Sequence, residues 1–123
     1  MISDETVLAF AGSTIKSVWA LELLFLLHQD GERSWSPDEL IRELRSSSVV
    51  VSEALASLQR AKLVRQIEDG RYCYGANPAE SSGQMVDELK KIYAIRPVAV
   101  VRAIATAPND KLRLLSDAFR FKE

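Results

Sequence analysis

The chain has 123 residues, 47% of them apolar, and 16 Lys/Arg against 17 Asp/Glu give it a formal charge of −1. That length suits one compact domain with an appended element, and the apolar share is enough for one core. The near-neutral balance excludes a uniformly basic nucleic-acid binder, and the single cysteine, Cys73, excludes an intrachain disulfide and makes a cytoplasmic compartment the default.

The charge is unevenly placed. Residues 1–80 hold eight Lys/Arg against twelve Asp/Glu, a balance of −4, and residues 81–123 hold eight against five, a balance of +3. The first residues are acidic, with no basic segment before an apolar run, so no secretion signal is expected. The longest apolar run, Val18 to Leu27, is too short to cross a bilayer and contains Glu22, so no membrane role is expected.

In chain order, residues 2–11 predict a short helix or arm. Gly12 interrupts it, and Ser13 or Thr14 can cap a new helix running to about His28. That helix is apolar nearly all round, which places it centrally. Gly31 stops it, His28 serves its C-terminal dipole, and Glu22 reaches a core edge or an arginine. Trp35 between two serines fits a very short strand. Ser36, Pro37 and Glu39 are a capping serine, a proline at the first helical position and a glutamate three residues on, so a helix covers about Pro37 to Arg45. Ser46 to Ser48 form a turn. A further helix covers about Val49 to Ala61, with Val51, Ala54, Leu55 and Leu58 spaced to be buried.

Asp69-Gly70 between two β-rich runs predicts a hairpin with a two-residue turn, pairing Glu68 with Arg71 and Ile67 with Tyr72. Cys73 then falls on the outer face as an ordinary small residue. Residues 77–83 read as a linker, followed by helices over about Gln84 to Ala94, Pro97 to Thr106 and Asp110 to Phe121. The expected fold class is mainly α with a small β-hairpin wing. The expected divisions are 1–13 (arm or short helix), 14–78 (central domain) and 79–123 (C-terminal helical extension).

The order helix, short strand, helix, turn, helix, hairpin over residues 14–78 resembles the winged helix-turn-helix of bacterial transcriptional regulators of the MarR and PadR type. The residues that carry the resemblance are Trp35-Ser36-Pro37 with Glu39, Leu40 and Leu44, then "VVSEALASLQRAKLV", then Asp69-Gly70. The resemblance implies that the helix from Val49 enters the major groove of double-stranded DNA, that the hairpin is a flanking wing, and that terminal helices build a homodimer. The candidate DNA-binding residues are Ser48, Val49, Val50, Ser52, Glu53, Ser57, Arg60, Arg65 and Arg71. Two positions depart from the family pattern: Glu53 stands where arginine is usual, and Lys62 where glycine is usual.

A second reading keeps the scaffold but makes it a protein-interaction module, with Val49, Val50 and Glu53 meeting a protein partner. Lys90, Lys91, Arg96, Arg102, Arg113 and Arg120 offer a positive patch in the C-terminal part. One histidine and one cysteine make no metal-ligand cluster, and five glycines make no phosphate loop, so no enzyme, metal or cofactor is expected.

Overall fold

The computed structural model describes residues 2–77 and 79–106. In chain order these form α1 (Asp4–Thr14), α2 (Val18–Gln29), α3 (Pro37–Leu44), α4 (Ser48–Arg60), β1 (Val64–Gln66), β2 (Tyr72–Tyr74), α5 (Ser81–Ile95) and α6 (Pro97–Thr106). The helix expected over 110–121 lies outside the described residues.

The N-terminal segment is a full helix. Ser3 caps α1 by accepting the Thr6 N–H at 3.2 Å, and the helix runs through Gly12, which is buried inside it. The expected break at Gly12 is therefore a correction: an internal glycine costs about 1 kcal/mol of helix propensity, and the packing of α1 on α5 and α6 offsets it. The true restart is at Ser17, whose Oγ accepts the Ala20 N–H at 3.0 Å.

The α2 helix is the hub. Ala20, Leu21, Leu23, Leu24 and Leu27 are fully buried, and α2 packs against α3, α4, α6 and β2. Polar contacts tie it to α5 at two levels. His28 Nε2 lies 2.6 Å from Asp87 Oδ1, and the Tyr93 hydroxyl donates to Glu22 Oε1 at 2.8 Å. Both residues expected merely to serve a helix end or a core edge thus fasten α2 to the C-terminal part. Tyr93 also packs its ring on Phe25 at 5.5 Å between centroids.

The start of α3 is as its residues predict. Ser36 Oγ accepts the Glu39 N–H at 3.1 Å, and Glu39 Oε1 accepts the Ser36 N–H at 2.9 Å, a complete capping box followed by Pro37. The helix ends on left-handed Arg45 (φ 53°), and Ser47 caps α4 by accepting the Val50 N–H. The end of α4 closes with Leu63 N–H to Leu58 O at 3.0 Å and Lys62 N–H to Gln59 O at 2.9 Å, with Lys62 left-handed (φ 63°). That paired bonding around a left-handed residue is the Schellman closure, and left-handed φ is why glycine suits the position.

The wing departs from expectation by one register. Asp69 and Gly70 both have positive φ, and Arg71 N–H reaches Glu68 O, as a tight turn on Asp69-Gly70 requires. Ile67 N–H, however, also bonds Arg71 O at 2.8 Å. Ile67 and Glu68 therefore oppose one residue, a bulge that shifts the pairing to Gln66–Tyr72, Arg65–Cys73 and Val64–Tyr74. Arg65 now shares a face with Cys73, which is buried rather than outward. Trp35 bridges the far side of β2, exchanging backbone hydrogen bonds with Tyr72 at 2.7 and 2.8 Å.

Candidate nucleic-acid interface

The burial of α4 follows its periodicity. Val51, Ala54, Leu55 and Leu58 face the core, while Ser48, Val49, Ser52 and Glu53 are exposed. Val49 is 64% exposed and Val50 is half-buried, so the adjacent valines split between surface and core edge. Ser48 and Ser52, like Val49 and Glu53, are four residues apart, so all four share the outward face of the first two turns.

Ser57 is not on that face. It lies three residues after Ala54, on the buried stripe, and retains 9% exposure. It lines a cavity of about 360 Å³ at the C-terminal ends of α1 and α4, with Phe10, Ser13, Thr14, Lys16, Arg60 and Ala61. That placement sets Ser57 apart from the outward face of the first two turns of α4.

Exposed cations lie on α4 and on the elements next to it in the chain: Arg42 and Arg45 at the end of α3, Arg60 and Lys62 at the end of α4, and Arg65 on β1. Glu53, on the outward face, makes no hydrogen bond or ion pair among the described residues. Arg71, a candidate DNA-binding residue on the wing, is bound by groups outside the hairpin. Its Nε donates to Ser34 Oγ at 3.0 Å, and its Nη2 donates to Ser34 O at 2.9 Å and Glu39 Oε1 at 2.7 Å. The Ser36 backbone N–H and the Arg71 guanidinium hold the Glu39 carboxyl below the usual carboxylate range.

The basic C-terminal patch is partly spent on neighbours. Lys91 pairs with Glu88 at 3.2 Å and Arg96 with Asp4 at 3.4 Å, while Arg113 and Arg120 lie outside the described residues. Two apolar side chains are left outward at the α5–α6 corner, Ile95 at 79% and Val98 at 67% exposure. No group of three or more metal-ligating side chains occurs among the described residues, and no single described helix is long and apolar enough to cross a membrane.

This arrangement is a winged helix: among the described residues there are six α-helices and a two-stranded antiparallel sheet, with α4 presented beside the hairpin. Two solved structures of S. aureus MepR share it. One point mutant aligns with a TM-score of 0.53, and another, bound to an oligodeoxyribonucleotide, with 0.51. Each is 16% identical, with 91% of this chain and 83% of that chain covered. The likeness shows that this chain shares the fold of MepR. No family model matches the sequence, and no curated protein does.

Proposed function

We propose that this chain is a cytoplasmic DNA-binding transcriptional regulator of winged-helix type, reading duplex DNA as a homodimer. The observation that carries the reading is the set of exposed cations on α4 and the elements next to it in the chain: Arg42 and Arg45 at the end of α3, Arg60 and Lys62 at the end of α4, and Arg65 on β1. Those side chains can reach phosphates on both flanks while Ser48, Val49 and Ser52 approach base edges. The oligodeoxyribonucleotide bound to a MepR mutant of the same fold supports it. Glu53 repels phosphate, so affinity comes from the flanks of α4 and the wing rather than from its middle turn. Ile95 and Val98, outward at the α5–α6 corner, support self-association through the C-terminal helices.

The test is fluorescence anisotropy of a labelled duplex titrated at several salt concentrations. Several phosphate contacts give a log–log slope of about −0.9 for each. Absence of binding even at about 50 mM salt sinks the reading. Light scattering behind size exclusion checks the dimer.

A second reading has its own observation: Val49, 64% exposed, stands one turn before unpaired Glu53. An apolar and acidic patch suits a protein partner better than phosphates. A partner recovered from lysate without nucleic acid, and lost on Val49→Asp, favours this interaction module.

A further inference from the structure

The wing carries two arginines, and the structure gives them opposite surroundings. Arg71 uses three hydrogen bonds on Ser34 and Glu39, all beside the turn end of the hairpin, where Trp35 pairs with Tyr72. Glu39 Oε1 is the same atom that completes the α3 capping box with the Ser36 N–H. Glu39 Oε2 lies 3.7 Å from the Arg33 Nη2, and the Arg33 guanidinium stacks on Trp35 at 3.6 Å from the ring centroid. Trp35 in turn bridges Tyr72 on β2. One connected set of groups therefore joins the wing to the start of α3. Arg65 is exposed, and its recorded side-chain contact is the Cys73 sulfur at 3.7 Å, a weak acceptor.

A two-stranded hairpin is marginal on its own, and β1 and β2 are three residues each. The hairpin needs an anchor if it is to hold one direction relative to α4. The bulge supplies the aim. Two residues, Ile67 and Glu68, oppose Arg71, and bulges redirect a side chain at the point where they occur. A phosphate approaching Arg71 would also approach the Glu39 carboxylate, which is held ionised by its cap hydrogen bond and by Arg71 itself.

We propose that Arg71 is a positioning residue that clamps the wing to the cap of α3, and that Arg65 is the side chain with which the wing contacts phosphate. The assignment of Arg65 rests on the DNA-binding reading; the clamp does not. The clamp keeps the wing in its binding-competent direction, so its loss lowers affinity by the fraction of time the wing spends elsewhere. Loss of a phosphate contact instead lowers the number of counterions released.

Two measurements on the full chain separate these roles: amide hydrogen exchange of Ile67 and Tyr72, and binding of a mixed-sequence duplex as salt is varied. Arg71→Ala is expected to speed exchange at both amides and to weaken binding about tenfold, a wing competent a tenth of the time, with the salt slope unchanged. Glu39→Gln should do the same more mildly. Glutamine still serves the capping box, so helix content by circular dichroism stays intact and a folding defect is ruled out. Arg65→Ala should leave exchange unchanged and make the slope shallower by about 0.9. A slope loss of about 0.9 on Arg71→Ala, or unchanged wing exchange in both clamp variants, overturns the positioning role. If the wild-type chain binds no duplex, the regulator reading and the role of Arg65 fall together, and exchange alone decides the clamp.

Discussion

Lys62 occupies a position where the backbone and the proposed interface want different residues, and Lys62→Gly measures both. Its φ of 63° lies in the left-handed region, where it closes α4 through the hydrogen bonds from Lys62 to Gln59 and from Leu63 to Leu58. A residue with a Cβ gives up roughly 1–2 kcal/mol in that conformation. Glycine escapes this but brings a more disordered unfolded chain, worth about 0.5–1 kcal/mol in the other direction. The net expectation is a gain of about 0.5–1 kcal/mol, or an unfolding midpoint higher by about 2–6 °C at this chain length. Urea and thermal unfolding followed by circular dichroism read it directly, with the urea m value unchanged. The same substitution removes an exposed cation between α4 and the wing, so DNA binding should weaken and its salt slope should drop by about 0.9. A variant no more stable than wild type refutes the backbone argument. A more stable variant with an unaltered salt slope refutes the place of Lys62 in the interface.

Glu53→Arg exchanges a negative for a positive side chain on the exposed face of α4. At about 6 Å from a phosphate, that change of two charges is worth about 1 kcal/mol after screening, so non-specific duplex binding should tighten about fivefold at 0.1 M salt; unchanged affinity in the anisotropy titration would place α4 away from the duplex. Glu39 is held below its ordinary value by the Ser36 N–H and Arg71. Its contribution is therefore fully present above the unfolded carboxylate pKa, near 4.5, and is lost as pH falls through the lowered folded value. Protection of the Ile67 and Tyr72 amides should fade in that acid window in the wild type but not in Glu39→Gln, as hydrogen exchange at a series of pH values would show. Gly75→Ala puts a Cβ 3.1 Å from the Arg65 nitrogen and the Val64 carbonyl carbon, both backbone atoms. The strand cannot yield as a side chain would, and a loss of about 1–3 kcal/mol in urea unfolding is expected.

The parts legible from sequence were those written in local chemistry. The Ser36-Pro37-Glu39 start of α3 depends on residues that touch one another, and it appears as expected. The buried stripe of α4 follows from spacing alone, although Ser57 shows that a polar residue on the stripe is not thereby a surface contact. Asp69-Gly70 predicted the turn correctly, because positive φ at both positions is a local demand. The bulge beside it was not legible. Ile67 bonds Arg71 rather than Tyr72, and the Arg71 side chain reaches Glu39 on α3, 32 residues earlier, a long-range partner that no local pattern carries. The same holds for the helix start at Ser17. Gly12 looks like a break until α5 and α6 pack across α1. His28 and Glu22 found partners on α5 at sequence separations of 59 and 71, beyond the reach of any periodicity argument.

Among the described residues, the order of chain segments across the wing, Trp35 then β2 then β1, leaves β1 with an open backbone edge. Open edges invite copies of a protein to join by strand pairing. Here the edge strand is three residues long, it carries the charged Arg65 at its centre, and the bulge follows it at Ile67–Glu68. Shortness, an edge charge and a local twist are each recognised obstacles to such joining. The hairpin can therefore project into solvent at high protein concentration without seeding sheet-mediated aggregates.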